Sequence, residues 1–395
     1  AASAVVGIAF VTAALVLTLR RSRLGAAAVL LGLTPMAWST LPSVNPSAFA
    51  IAGAVALWVA LLEFGTTSDV VPRIVPWVIA LAWAALAVAR RDGLVWACVI
   101  VFAAALLLRL DLVPLARRLG IGPLIVIAAS TAVTLAWGLT SGSRTSQLVV
   151  VAPVALVAAE FARTRLRSAP VEARWWSWVI GAIAAVVAWF VLVSTRDGGW
   201  DTDLTVTIIN QTDDNLIEAI GRLGWLDAPL PAFVVFAWLV AIGGLVAYAL
   251  LANRRGLAAA SLITVFAAVS SWTFELLQGN DTGTYWQGRY SLPLLVAVPL
   301  LLTGTARADD AVAHRALTEP LARWVGLTGL VIVNVAAWAA ARRWGVGLEG
   351  SYLPWRWDTA IQPVPPIVLL VLLAGSSAGL AWVVLVRHDR HLVAR

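Results

Sequence analysis

The run Thr284-Tyr-Trp-Gln-Gly-Arg-Tyr-Ser-Leu-Pro-Leu294 stands where a polar segment gives way to a hydrophobic one. Its arginine, Arg289, is placed at the edge of the hydrocarbon, where a charge is expensive and usually functional. Gly288 lets the backbone approach a neighbour closely, while Trp286 and Tyr290 are typical of the membrane–water interface. We interpret the rest of the chain as a membrane frame that holds this corner and a few similar ones on one side of a bilayer.

Composition places the chain among polytopic helical membrane proteins. Its 395 residues are 61% hydrophobic and only 12% charged, with a mean hydropathy of +0.88, which excludes an ordinary soluble domain. All 28 basic residues are arginine, a usage that indicates a GC-rich bacterial genome. They cluster at the ends of apolar segments, so the net charge of +7 reflects membrane topology and not nucleic-acid binding.

Hydropathy predicts an all-α fold, a transmembrane bundle of about thirteen spans judged by a length of roughly 20 residues. The predicted spans are approximately 1–19, 24–41, 47–62, 74–89, 94–108, 121–139, 148–162, 175–194, 232–251, 257–276, 291–304, 321–341 and 367–386. Arginine clusters after several spans place those connections, and the C-terminus, in the cytoplasm. We therefore expect one integral domain, 1–395, in a bacterial cytoplasmic (inner) membrane. The same alternation puts Ala1 outside, so we expect an odd number of spans, most simply one, upstream of it.

Alternation leaves four polar segments on the external side, which are 41–47, 195–231, 278–290 and 342–366. It also leaves Arg90-Arg91-Asp92 there, against the tendency of arginine to stay inside. One interpretation is that a short span has been miscounted. The other is that Arg90 and Arg91 hold an anion such as a lipid phosphate, which suits the guanidinium fork.

The external segment 195–231 is strongly acidic and contains a candidate helix. Thr212-Asp213 fits an N-cap, and apolar residues then recur at helical spacing, namely Leu216, Ile217, Ile220 and Leu223. This pattern predicts a short amphipathic helix lying on the membrane surface.

The same segment returns to the bilayer through Gly224-Trp225-Leu226-Asp227-Ala228-Pro229. A carboxylate at Asp227, beside the indole of Trp225, suits hydrogen bonding to sugar hydroxyls or service as a base. The alternative is that Asp227 only caps the turn before Pro229.

Two further corners offer polar groups to a ligand. Arg289 supplies a guanidinium for anionic oxygens, Gln287 an amide for hydroxyls and Tyr290 a ring, unless Arg289 simply extends to the headgroups. Asn45, in Val44-Asn45-Pro46-Ser47, either joins the site or only shapes a turn. In the second case Pro46 extends Asn45, and Ser47 caps the next helix.

No cofactor is certain from the sequence. Asp197, Asp201 and Asp203 offer oxygen ligands to a divalent cation, but their spacing does not match an EF-hand, so a metal requirement stays open. The chain has no phosphate-binding loop, dinucleotide fingerprint, zinc-protease motif or serine-hydrolase elbow.

Three segments, taken together, resemble one family. They are Thr34-Pro35-Met36 with Ser43–Ser47, then Gly224–Pro231, then Gln287–Leu294, in this order and at similar spacing. They look like the DUF2142 family of bacterial polytopic membrane proteins, and the resemblance extends over nearly the whole chain. It implies that Asn45 and Asp227 matter beyond structure.

That family is similar to the GT-C glycosyltransferases, and the resemblance implies a GT-C-like fold. Members of that superfamily take sugars from polyprenyl-phosphate carriers at the outer membrane face. Their acidic catalytic residue follows the first transmembrane helix, a position expected upstream of Ala1, so we assign no catalytic base here.

The sequence therefore predicts a membrane-embedded, glycosyltransferase-like protein that uses a polyprenyl-phosphate-linked sugar and a polysaccharide acceptor in cell-envelope synthesis. Arg289, Arg90 and Arg91 are the candidates for stabilising the departing phosphate. Whether this chain is itself an enzyme stays open. The alternatives are a transporter or flippase, which should show broken helices and inverted repeats, and a membrane scaffold without chemistry.

Overall fold

In a computed structural model the described residues are almost entirely helical, which confirms the all-α class. It describes residues 2–41, 43, 45–66, 71–90, 92–108, 112–140, 144–167, 202–223, 228–282, 286–304, 311–357 and 364–385. The helices of the first half are α1 Ala2–Leu19, α2 Arg23–Gly32, α3 Pro35–Thr40, α4 Pro46–Thr66, α5 Ile74–Ala89, α6 Gly93–Leu108, α7 Leu112–Leu119, α8 Ile121–Thr140 and α9 Arg144–Arg167.

The second half continues with α10 Thr202–Asn210, α11 Thr212–Gly221, α12 Ala232–Ala252, α13 Arg254–Thr282, α14 Leu292–Leu295, α15 Ala297–Thr303, α16 Ala311–Val346 and α17 Pro366–Leu385. Single 3-10 turns lie at Gly288–Tyr290 and Pro354–Arg356. A two-residue antiparallel pair joins β1, Arg222–Leu223, to β2, Ala228–Pro229.

The predicted count of about thirteen spans is not confirmed by a length criterion of roughly 20 residues. Within the described ranges, 5 helices are long and apolar enough to cross a membrane: Pro46–Gly65, Ile121–Thr140, Ala232–Ala252, Arg254–Leu277 and Leu317–Val346. A sixth is added if α6 and α7, inclined at 109°, form one bent span. Five other predicted spans contain apolar helices of 10–17 residues, and the predicted span 175–194 lies outside the described residues.

One reason for the difference is that a predicted span, 24–41, is two helices. α2 ends at Gly32 and α3 begins at Pro35, with Thr34 capping α3 by accepting the Ala37 N–H. Proline lacks the backbone N–H that a continuous helix needs, and it disfavours the helical conformation of the residue before it. Pro35 thus divides an apolar run that hydropathy reads as a single segment.

The core is built around α4, whose candidate span is 83% buried. α4 packs against α1, α5 and α6, and it carries the fully buried Trp58 and Phe64. The approach to α5 is close because Gly53 has no side chain; a Cβ there would lie 3.0 Å from the Ala82 carbonyl oxygen. A central helix buried on all sides is the arrangement expected of an apolar sequence without a polar face.

The predicted helix of the acidic external segment is present as α11, although its cap differs. Gln211, and not Thr212-Asp213, is the N-cap residue, and its side chain makes no capping hydrogen bond. Ile220 and Leu223 are buried, whereas Leu216 and Ile217 are exposed. Contact of the exposed pair with the membrane surface stays a prediction.

A second helix in this segment, α10, was not predicted. Ile208 of α10 packs with Leu276 of α13 in a small hydrophobic cluster. The Trp272 Nε1–H of α13 also donates to the Thr212 Oγ1 at 2.9 Å. α10 and α11 are therefore held against the C-terminal end of α13, where the polar segment 278–290 begins.

Candidate functional site

A cavity of about 640 Å³ has Arg289 in its lining. Arg289 is 7% exposed, so its charge is largely withdrawn from bulk solvent. The other polar lining residues come from α3 and the turn after it, namely Ser39, Thr40, Ser43 and Asn45. We call residues 286–290 the Arg289 corner. The cavity is thus polar where the α3–α4 connection meets this corner.

The opposite wall of the cavity is apolar and belongs mainly to α16. It is formed by Val333, Ala336, Ala337, Ala340 and Trp344, with Leu373 of α17. Spacings of three, four and seven residues place the α16 positions on one helix face. From Val333 to Trp344 this wall extends about 16 Å at 1.5 Å per residue, roughly half of a 30 Å hydrocarbon core.

Two buried carboxylates hold the backbone of the Arg289 corner. The Gly288 N–H donates to Glu218 Oε2 of α11 at 3.1 Å, and the Trp286 N–H donates to Glu275 Oε1 of α13. Glu218 and Glu275 are 9% and 3% exposed. Hydrogen bonds to a charged acceptor are among the stronger ones in proteins, so the path of the chain into Arg289 is firmly fixed.

Gly288 is required at its position by close packing on α11. A Cβ there would lie 2.0 Å from the Asn215 carbonyl oxygen and 2.4 Å from the Ala219 nitrogen, distances that no side chain tolerates. The expectation that Gly288 permits a close backbone approach is therefore confirmed, and the neighbour is α11.

Aromatic side chains fill the space behind the corner. Trp286 stacks on Phe274 with ring centroids 5.2 Å apart, and it meets Tyr290 edge to face at 5.5 Å. Trp96 of α6 contacts Trp286 at 6.5 Å. Trp286 is 7% exposed, so it packs inside the protein here, and its level at the membrane–water interface stays a prediction.

Arg90 joins the corner through Tyr290. Its guanidinium carbon lies 3.9 Å from the centre of the Tyr290 ring. The same group donates to Asp92 Oδ1 at 2.9 Å and to Ser47 Oγ at 3.2 Å, while Asp92 also accepts the Trp96 Nε1–H. Burial lowers the pKa of Arg90, whereas the charge of Asp92 and its hydrogen bond raise that pKa by more. The pKa of Arg90 is therefore raised overall, and the guanidinium stays protonated.

Asn45 has a structural contact in addition to its place in the cavity lining. Its Oδ1 accepts the Ser47 N–H at 2.9 Å, immediately before α4 begins at Pro46. Asn45 is thus the capping residue, and the expectation that Ser47 caps this helix was wrong. The reason is local: Pro46 fits the first helical position, which leaves Asn45 at the N-cap and frees the Ser47 hydroxyl for Arg90.

The structure brings five of the predicted site residues to one end of the bundle. Asn45 and Arg289 border the same cavity, Arg90 covers Tyr290, and the Gln287 carbonyl accepts the Tyr290 N–H at 2.8 Å. The other three, Arg91, Trp225 and Asp227, lie outside the described residues, as do Asp197 and Asp201. Among the described residues, no group of three or more His, Cys, Asp or Glu side chains is placed to hold a metal ion.

Sequence reasoning missed Glu218, Glu275 and Trp38. The carboxylates act through backbone N–H groups of residues distant in sequence, so no local motif reveals them. A weak signal existed for Glu218, because it stands directly before the buried positions of an amphipathic helix. Trp38 lies in the cavity lining and was overlooked because it was counted as part of an unbroken span.

Comparison with known families agrees with this architecture. A family profile described as "Predicted membrane protein (DUF2142)" matches residues 2–298. No curated protein and no solved structure matches the chain at a significant level. The matched range includes all of the predicted site residues and ends before α16, which supplies the apolar wall. Because the match covers most of the chain, this protein belongs to the DUF2142 family of predicted membrane proteins.

Proposed function

We propose that the protein binds a polyprenyl-phosphate-linked sugar in the Arg289 cavity, as a glycosyltransferase-like membrane protein of cell-envelope polysaccharide synthesis. The observation that supports this best is a buried guanidinium at the edge of a cavity with a long apolar wall. An isoprenoid phosphate has the matching form, a single anionic group on a hydrocarbon chain.

The chemistry of arginine suits an anionic ligand at this place. A phosphate can accept two parallel N–H bonds from a guanidinium, the arrangement in which arginine binds anions most strongly. Arg289 is the proposed phosphate contact, and Arg90, which is paired with Asp92, lies over the ring of Tyr290 next to it.

The remaining lining fits the two ends of such a ligand. The face of α16 with Ala336, Ala337 and Ala340 leaves room along the bundle for an isoprenoid chain. Ser43 and Asn45 offer hydrogen bonds to phosphate or sugar oxygens, and Trp38 and Trp344 offer aromatic faces for a sugar ring. Asp227, Trp225 and Gln287 are proposed as further sugar contacts.

In a transfer, an acceptor hydroxyl oxygen attacks the anomeric carbon while the bond to the phosphate oxygen breaks. The phosphate leaves with the bonding electrons, and Arg289 would stabilise its added charge. A carboxylate must take the acceptor proton. Among the described residues that line the cavity there is no carboxylate, so the roles assigned to them are binding and leaving-group stabilisation.

The test is equilibrium binding of polyprenyl phosphate and of the uncharged polyprenol to the purified chain in nanodiscs. The wild type should prefer the phosphate, and Arg289→Ala should lose that preference by about 10- to 100-fold, from charged hydrogen bonds of about 1.5–3 kcal/mol. Arg254→Ala is the matched control, since Arg254 lies at the other end of α13. Equal affinity of the wild type for both lipids would overturn the proposal.

A second function, lipid translocation, is favoured by one specific observation. The break between α2 and α3 lies against Val296, in the apolar helix Leu292–Thr303. A Cβ on Gly32 would lie 2.5 Å from the Val296 carbonyl oxygen. Discontinuous helices of this kind surround substrate sites in transporters. A fluorescent lipid phosphate in proteoliposomes separates the two functions, because only a flippase would speed its exchange between leaflets.

A further inference from the structure

Glu218 connects the acidic external segment to the Arg289 corner. Its Oε2 accepts the Gly288 N–H at 3.1 Å, and its Oε1 lies 3.6 Å from Arg222 Nη1. Arg222 in turn contacts Asp214 Oδ1 at 3.2 Å through Nη2. Both carboxylate oxygens of Glu218 are thus engaged, one by the residue that precedes Arg289 and one by a cation of its own segment.

The same helix, α11, also contacts α3, the other element that supplies polar groups to the cavity. The Thr34 Oγ1–H, at the start of α3, donates to the Ala219 carbonyl oxygen at 2.7 Å. Leu223, just after α11, is itself part of the cavity lining. α11 therefore lies between the two elements that supply the polar groups of the cavity, α3 and the Arg289 corner.

We propose that Glu218 is a positioning residue for Arg289, and that it makes α11 part of the anion-binding machinery. The inference rests on the proposed function. Glu218 fixes the backbone of Gly288, and the guanidinium of the next residue is directed from that backbone. Preorganised donors bind an anion better because they need no reordering when it arrives.

Simple electrostatics predicts the opposite effect, which makes the role testable. A carboxylate near the site repels a phosphate, so a purely electrostatic Glu218 would weaken anion binding and its neutralisation would strengthen it. A positioning Glu218 matters chiefly through the reach of its oxygen, because a shorter acid loses the bond to Gly288 whereas an amide oxygen of the same reach keeps it. Two conservative substitutions separate these properties.

Glu218→Gln keeps the side-chain length and one acceptor oxygen but removes the charge. Glu218→Asp keeps the charge but is shorter by one methylene, so its oxygen no longer reaches Gly288. We expect Glu218→Asp to weaken polyprenyl phosphate binding about tenfold, the equivalent of one hydrogen bond to a charged group. We expect Glu218→Gln to stay within about threefold of wild type or to bind more tightly.

The readout is the ratio of polyprenyl phosphate to polyprenol affinity, which a general loosening of the fold would not change selectively. Asp203→Asn is the control, because it removes an exposed acid of the same segment. Glu218 does not position Arg289 if Glu218→Gln lowers this affinity ratio while Glu218→Asp leaves it unchanged. The same conclusion follows if neither substitution changes the affinity ratio. If the wild type shows no phosphate preference, the proposed function fails first, and the two failures are thereby distinguished.

Discussion

Gly288→Ala is the substitution whose effect the structure specifies most closely. The added Cβ would lie 2.0 Å from the Asn215 carbonyl oxygen and 2.4 Å from the Ala219 nitrogen, and both are backbone atoms of α11. Ordinary contact begins at 3.4 Å, so the two segments must separate by about 1.4 Å, the difference 3.4 − 2.0. Backbone atoms of a helix cannot give way individually, so α11 or the Arg289 corner must move as a unit.

The movement has two costs. Overpacking of this kind destabilises a folded protein by about 1–3 kcal/mol. A separation of about 1.4 Å also takes the 3.1 Å bond from Gly288 to Glu218 beyond hydrogen-bonding distance, which leaves a buried carboxylate oxygen short of a donor at about 1–3 kcal/mol. We therefore expect a total loss of roughly 2–6 kcal/mol from the two effects together.

The assay is thermal unfolding in detergent micelles, followed by polyprenyl phosphate binding to the fraction that stays folded. Gly288→Ala should unfold several degrees earlier than wild type and lose its preference for the phosphate over polyprenol. Gly243→Ala is the matched control, since an added Cβ there has no atom within 4 Å. That control should be at least as stable as wild type, because alanine is the better helix former by about 1 kcal/mol.

A Gly288→Ala protein that unfolds at the same temperature as the wild type and binds the phosphate equally well would refute this prediction. The packing of the corner on α11 would then be looser than these distances state. Early unfolding with intact phosphate preference would separate the two consequences: the packing would stand, but the corner would not direct Arg289.

Two further substitutions test other parts of the site. Arg90→Ala should destabilise the fold by about 3 kcal/mol, because it leaves the buried Asp92 without its cation. Thermal unfolding would measure this loss. The double variant Arg90→Ala with Asp92→Asn should lose less stability than the sum of the two single variants. An Arg90→Ala protein as stable as wild type would contradict the importance of that pair. Ala337→Trp should block the cavity and abolish binding of both polyprenyl phosphate and polyprenol, whereas Arg289→Ala should lose only the preference for the phosphate. The control Val331→Trp, on another face of α16, should bind both lipids. Retained binding by Ala337→Trp would show that the lipid lies elsewhere.

Hydropathy predicted helix positions well where apolar runs are bounded by polar or proline residues. The span predicted at 74–89 is the helix Ile74–Ala89, since Arg73 precedes it and Arg90 follows it. The prediction failed where a run contains its own break, as at Thr34-Pro35, and where β-branched residues obscure a helix. α10, with Thr205, Val206, Thr207, Ile208 and Ile209, has the composition of a strand; packing of Ile208 against α13 overrides that preference.

The candidate site was predicted in part. Arg289 and Gly288 were identifiable because a charge and a glycine at a hydrocarbon edge each require an explanation. The residues around them were not identifiable from the sequence. Glu218 is 70 residues from Gly288 in sequence, and the apolar wall of α16 lies beyond the matched family range. Arg90 was identified as unusual, but its contacts with Asp92, Ser47 and Tyr290 arise only from tertiary packing.

The most direct test of the central claim is a cryo-electron microscopy structure of the chain in nanodiscs with polyprenyl phosphate. We predict headgroup density beside Arg289, with phosphate oxygens about 2.7–2.9 Å from the guanidinium nitrogens, and chain density along Val333, Ala336 and Ala340. Density for the lipid at another place on the bundle, with the Arg289 cavity unchanged, would contradict the claim that this cavity is the lipid-phosphate site.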